Sequence, residues 1–247
     1  MRSLTFTIIT FLLYSSTIFA QVGINDDNSE PDPAAGLDVK FTNKGFLPPR
    51  LTCLERNDIA GAPAGLMVWC TDCGPKGEAQ VFNGTNWTNM MGGVAASPFS
   101  IGMTYGGGVI FYIDITGAHG LITATTDQST STQWGCFLTS IPGTATAIGT
   151  GQDNTLIIIN GCSEAGIAAR ICDDLDLNGY SDWFLPSQDE LNQMYLQKNV
   201  LGGFANGSYW SSSEFSYVRA IAQDFFSGSQ NTNQKVNTFY VRAVRTF

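Results

Sequence analysis

The sequence predicts an α+β protein in which two helices pack on short antiparallel strands, behind a small irregular module that contains β structure. Three observations predict it. Residues 179–191 read Gly-Tyr-Ser-Asp-Trp-Phe-Leu-Pro-Ser-Gln-Asp-Glu-Leu, so Tyr180, Trp183, Phe184 and Leu185 crowd four large apolar side chains into six positions. Pro186 stops any strand there, because it has no N–H for the ladder and disfavours helix at the residue before it. Ser187 and Glu190 then form a capping box, and Leu191, Met194 and Tyr195 line one face of the helix that follows. A second amphipathic helix is expected from Ser163, with Ile167, Ala168, Ile171, Cys172 and Leu175 on one face. Elsewhere the apolar runs are short and separated by Gly-, Ser- and Asn-rich turns, which is strand patterning.

Taken in order, residues 1–20 read as a secretory signal peptide. Arg2 supplies the charge, 4–13 the apolar run, and Ala20 a small residue before the cut. The run is short for a span of about 20 apolar residues. No later segment approaches that length, so a secreted protein with no membrane span is expected. Removing the leader takes away Arg2 and no acid, leaving 11 basic and 21 acidic residues, net −10. Nucleic acid rewards basic stripes, so that balance excludes it as a partner.

Residues 21–97 form the first, smaller module. Asn25, Pro33 and the residues between them carry four acids and two prolines, a composition of flexible chain. Residues 37–41 alternate as a half-buried strand, 44–52 read as a turn followed by extended chain, and 66–69 and 80–82 read as a hairpin. A lone hairpin is marginally stable. The module has too little apolar sequence to fold by itself, which predicts association, as a homotrimer.

The small-residue stretch 92–98 is the expected linker, and 98–247 the main domain. Residues 106–114 and 121–124 make a second hairpin around the turn that holds His119, and Trp134 should anchor the core from a polar loop. Residues 141–151 lack any period and are loop. Residues 156–159 are ambiguous between strand and a short helix capped by Asp153. Strands are expected at Tyr209-Trp210, at 220–226 and at 239–244, with a polar loop over 227–237.

Six cysteines in an exported chain predict disulfides. Cys70 and Cys73 read as a loop clamp, since no βαβ context supports a redox pair. Cys136 with Cys162 would close the Gly/Thr-rich loop, Cys172 reads as a buried free thiol, and Cys53 has no obvious partner. Asp174, Asp176, Asn178 and Gly179 open like an EF-hand loop, but its twelfth position is Leu185 instead of the bidentate Glu, so a solvated turn is expected and no metal. His119 is the only histidine, which removes Ser–His, Cys–His and His-based metal chemistry. No enzyme and no cofactor are expected. Asn83, Asn86 and Asn206 match the glycosylation pattern and read as ordinary turns.

Two resemblances carry these residues further. Val-Gly-Ile-Asn at 22–25, Leu-Asp-Val at 37–39 and Lys-Gly-Phe-Leu-Pro-Pro-Arg-Leu-Thr at 44–52 resemble N-terminal segments of exported Bacteroidetes surface proteins, which implies location and trimerisation. Gly-Gly-Val-Ile-Phe-Tyr-Ile-Asp at 107–114, the 179–187 stretch, Tyr-Trp-Ser-Ser at 209–212 and Val-Arg-Ala-Val-Arg at 241–245 together resemble the C-terminal domain of the Legionella collagen-like adhesin. That family resembles formylglycine-generating enzymes in a C-type-lectin-like fold. The enzymes' cysteines lie late in the domain, and here none follows Cys172, so their activity does not carry over.

The resemblance implies a non-enzymatic extracellular adhesion module that recognises anionic or sulfated glycans. The alternative is a structural tip or cap on a trimeric fibre, with no ligand of its own. Trp183, Ser187, Glu190, Trp210 and Arg242 are the expected structural residues. Because strand side chains alternate, Arg242 and Arg245 should face opposite sides, one of them inward. The resemblance implies that the inward one is Arg242, beside Glu190 on the capped helix, so the two should pair, with Asp182 as second choice. The charge balance inverts over 215–247, so the expected ligand site is Tyr217, Arg219, Lys235 and Arg245.

Overall fold

The computed structural model describes residues 21–247, so the expected signal peptide lies outside the described residues. The chain divides into two compact units, one ending at Pro48 and one running from Pro49 to Phe247. In the first, β1 (Val22–Asn25) pairs in parallel with β2 (Leu37–Lys40), in register from Val22 opposite Leu37. The acidic connection between them folds back through Asx turns, Asp27 accepting the N–H of Ser29 and Asp32 that of Ala34.

The second unit opens with β3 (Arg50–Leu51) and α1 (Cys53–Asn57). No element was expected over 53–57, because the extended reading of 44–52 stops at Thr52. The signal for the helix is present in the sequence as Thr52-x-x-Glu55, a complete capping box. Strands β4 (Met67–Cys70), β5 (Glu78–Phe82) and β6 (Trp87–Asn89) complete a four-stranded sheet in the order β3-β4-β5-β6. The stretch expected to be a linker lies inside this unit because hydrogen bonds pin it. Asn89 Oδ1 takes the N–H of Met91 and Gly93, Glu78 that of Ala96, and Ser97 donates to Gly117 O.

A second four-stranded sheet follows, of β7 (Thr104–Tyr105), β8 (Gly108–Ile113) and β9 (Gly120–Thr123) with β15 (Val244–Thr246) from the chain's end, in the order β15-β9-β8-β7. The five-stranded sheet runs β10-β14-β11-β12-β13, built from β10 (Ser129–Gln133), β11 (Ser208–Ser216), β12 (Arg219–Asp224), β13 (Gln230–Gln234) and β14 (Thr238–Val241). Strands β10 and β13 lie where polar loop was expected. Both are edge strands, which leave most of their polar residues at least partly in solvent.

Four further helices lie among the strands. The ambiguous run at 156–159 falls in α2 (Gly151–Gly161), and Asp153 is inside the helix rather than its cap. The helix expected from Ser163 is the shorter α3 (Ala168–Asp173). The capping box at Ser187 is complete and opens α4 (Gln188–Leu196), with α5 (Lys198–Leu201) following it. The fold is therefore mixed α/β, with short helices and many strands in several sheets.

Trp134, Trp183 and Trp210 are all buried in one core with Ile158 and Cys172. Each indole N–H finds a carbonyl, of Ser211, Tyr180 and Thr132 respectively, at 2.9–3.0 Å. That satisfaction is what allows three of the largest side chains into an apolar interior. A second cluster joins Phe184, Leu191 and Met194 to Tyr209 and Phe225, so the apolar face of α4 packs as the periodicity predicts. The expected disulfides both form, Cys70–Cys73 and Cys136–Cys162, while Cys172 and Cys53 are buried free thiols.

Candidate functional site

The four residues expected to share a ligand site separate into two kinds. Tyr217 and Arg219 are exposed at the tip of the β11–β12 hairpin, beside Phe215, which is 63% exposed. Arg219 there donates to the carbonyl of Thr232 at 3.1 Å. Lys235 and Arg245 are in the interior instead. Lys235 is fully buried, ion-paired to Glu214, donating to the Thr139 carbonyl at 2.8 Å and lying 4.5 Å from the Trp134 ring centroid. A buried ammonium must be compensated from inside, so these partners hold Lys235 for structure and not for a ligand.

Arg245 grips Asp182 through two bonds, Nε at 2.7 Å and Nη2 at 2.8 Å, and covers the ring of Tyr180. This bidentate pair holds the Asp182 carboxyl below its ordinary value of 3.8. Asp182 was the second choice of partner for Arg242, and it serves Arg245. Arg242 itself pairs with Asp127 at 2.7 Å and donates to the carbonyls of Gly202 and Gly203. Its guanidinium also stacks 4.0 Å from the Phe204 centroid. The expectation that one arginine faces outward fails because the strand is broken. β14 ends at Val241 and β15 begins at Val244, so the two arginines serve different sheets and both are buried.

Glu190 has no arginine. Its carboxylate accepts the N–H of Ser187 at 2.8 Å, of Gly149 at 2.8 Å and of Gly151 at 3.3 Å. Burial pushes its carboxyl above the ordinary 4.5, and these N–H donors pull it back. The charge thus sits at the N-terminus of α2, where the helix dipole favours it. Sequence reasoning saw the capping half of this arrangement and missed the half that reaches 41 residues back along the chain.

Two clusters combine cysteines with a carboxylate, Cys70-Asp72-Cys73 and Cys136-Cys162-Glu164. Their sulfurs are spent in disulfides, which leaves no thiolate for a metal. The Asp174–Asn178 turn is exposed, and Asn178 uses its Nδ2 to hold the Gly107 carbonyl at 2.7 Å. Asn178 also takes φ 55°, a left-handed conformation that asparagine tolerates. His119 is exposed in the β8–β9 turn. The sequon at Asn83 is an Asx turn, its Oδ1 accepting the N–H of Thr85 and Asn86.

No described helix is long and apolar enough to cross a membrane. Compared with known proteins, the chain matches the family described as a phage tail like trimerisation region over residues 23–103. No curated protein matches it. Among solved structures it is similar to a fimbrial protein from Bacteroides ovatus ATCC 8483, at 15% identity and a TM-score of 0.42, over 62% of this chain and 46% of that one. The chain thus spans less than half the length of that fimbrial protein. The match over residues 123–245 takes in the three buried tryptophans, both inward arginines and the Ser187 capping box, and by it this part of the chain belongs to the Lcl C-terminal domain family.

Proposed function

We propose that the protein is an exported, non-enzymatic adhesion protein that works as a homotrimer, its N-terminal region joining the copies and its C-terminal domain meeting the ligand. The observation that carries this reading is an uncovered apolar sheet face inside the matched trimerisation region. Pairing aligns Met67, Val81 and Thr88 across β4, β5 and β6, with Val94 bridged to Thr88 beyond them. Directly paired residues share a face, and Trp69 with Ala79 continues it. Val94 is 86% and Met91 95% exposed at its border. A solvated antiparallel sheet ordinarily turns polar residues outward. An apolar one with family support for trimerisation fits burial against another copy.

Light scattering on the mature chain tests this reading. A trimer is expected for the wild type, and a Met67→Glu/Val94→Glu variant should dissociate while staying folded. A folded wild-type monomer at micromolar concentration overturns it.

The ligand in this reading is an anionic or sulfated glycan, met at the hairpin tip by Arg219 with Tyr217 and Phe215 alongside. One exposed cation gives a weak site, and three copies on one assembly raise its avidity without any new contact. A C-type-lectin-like arrangement of the domain is kept with it, supported by the terminal strand β15 returning to pair with β9. The burial of Lys235 and Arg245 favours the second reading, a structural tip with no ligand. A glycan array separates the two. Adhesion predicts sulfated hits that fade with salt and with Arg219→Ala, and a tip predicts none.

A further inference from the structure

We propose that a cleft beside α1 binds an uncharged sugar, at a site separate from the β11–β12 tip. The cleft has a volume of about 360 Å³, within the range of about 300–1,000 Å³ typical of small-ligand sites. Asn57, Phe82, Thr85, Asn86, Trp87 and Thr116 line it, and the rest of its wall is glycine and aliphatic.

One residue of this wall carries an unsatisfied polar group, buried beneath its surface. Asn57 Nδ2 is the buried side-chain nitrogen that has no hydrogen-bond partner among the described residues. The amide's orientation is fixed by chemistry. Its Oδ1 accepts from Nε of Arg56 at 3.1 Å and from Nη2 at 2.9 Å. A guanidinium has no acceptor to offer, so the NH₂ must be the group turned away from it. Arg56 is itself locked, donating to Gln80 and to the Thr116 carbonyl with its guanidinium 5.5 Å from the Trp87 centroid. The donor is therefore held in place before any ligand arrives. A buried donor left unpaired costs about 1–3 kcal/mol, a cost that an incoming acceptor removes.

The remaining chemistry narrows the ligand. No lining residue is titratable, and the cation behind the wall, Arg56, spends its donors on Asn57, Gln80 and the Thr116 carbonyl, so the cleft offers a charged group no direct partner to offset its desolvation. Asn86 makes its turn contacts through its backbone, leaving its side-chain amide to both donate and accept. Phe82 and Trp87, with ring centroids 5.4 Å apart, supply an apolar flank. A sugar ring meets all of these terms, because its hydroxyls accept from Asn57 and exchange bonds with Asn86 while its C–H face lies on the aromatic side.

An array of uncharged oligosaccharides, probed with the mature protein in low and in high salt, tests the proposal. Hits are expected whose affinity is insensitive to salt. Asn57→Asp keeps the oxygen that faces Arg56, and adds an ion pair there, while replacing the free donor by an acceptor. It should lower affinity about tenfold or more, as should Asn86→Ala, whose side chain makes no hydrogen bond among the described residues. Arg219→Ala should leave these hits unchanged, which separates this cleft from the hairpin tip. The proposal is overturned if the wild type retains no uncharged glycan, or if its hits survive both Asn57→Asp and Asn86→Ala at full affinity. Should Asn57→Asp fail to fold, Asn86→Ala decides.

Discussion

Glu190 Oε1 accepts the backbone N–H of Gly149 at 2.8 Å, which fastens the start of α4 to the start of α2. The same carboxylate closes the capping box on Ser187, so one side chain sets the ends of two helices. Removing it strands several buried N–H groups at once. Glu190→Ala should lose about 3–5 kcal/mol of stability, and Glu190→Gln less, because an amide oxygen can still accept. Urea unfolding of the two variants measures both. Gly151 shows how close the fit is, since a Cβ there would come within 2.2 Å of Glu190 Oε2.

Lys235 and Arg219 should respond to mutation in opposite ways. Lys235→Ala leaves Glu214 facing the interior without its cation, and should cost about 3–5 kcal/mol with no specific effect on glycan binding in the folded fraction. Arg219→Ala, at an exposed position, should leave stability within about 0.5 kcal/mol. Thermal unfolding run beside a binding assay separates the two. A Lys235→Ala variant with unchanged stability would return that residue to the list of ligand contacts.

The contrast between these two cations shows what the sequence carries. Local signals were legible: the Ser187–Glu190 box, the short strands, and the apolar face of Leu191 and Met194 all follow from neighbours within a few residues. Cation partners were not. Arg242 meets Asp127 115 residues away, and Lys235 meets Thr139 96 away, at positions fixed by strand order. Strand order was not readable, since β14 enters beside β10 and β11 and the chain then breaks at Ala243 to put β15 in another sheet. A count of charges along 215–247 saw a basic patch where the fold has buried ion pairs. The exposed pair Tyr217 and Arg219 remained because the hairpin tip is local. The hydrogen bonds that fix Asn57 were also beyond reach, because the extended reading of 44–52 stopped at Thr52, the Thr52-x-x-Glu55 box went unread and α1 was missed.

The two disulfides should differ in weight. Cys136–Cys162 spans 26 residues, and closing a loop of that length restricts the unfolded chain by about 3.5 kcal/mol. Cys70–Cys73 spans three, worth about 1.5 kcal/mol on the same scale. Replacing each pair by alanine and measuring unfolding should reproduce that order. Non-reducing peptide mapping of exported material should recover both links and leave Cys53 and Cys172 as thiols.

Asp182 and Arg245 give the protein an acid-sensitive contact. The carboxyl is held below 3.8 chiefly by its hydrogen bonds to the guanidinium, partly against burial, which pushes it up. A folded value below the unfolded one means that the unfolded chain binds the proton more readily. The pair therefore stabilises the fold above about pH 3.8, and that stabilisation is lost as pH falls through the lower folded value. Asp182 is 46% exposed, so solvent screens the contact and its worth is about 1 kcal/mol or less. Asp182→Asn should be less stable than wild type by that amount at neutral pH, and less so in high salt. Unfolding curves for the two proteins should converge as the pH drops through the acid range. A gap that persists undiminished at the lowest pH would mean that the asparagine disturbs packing around Tyr180 and Arg245 rather than removing a charge.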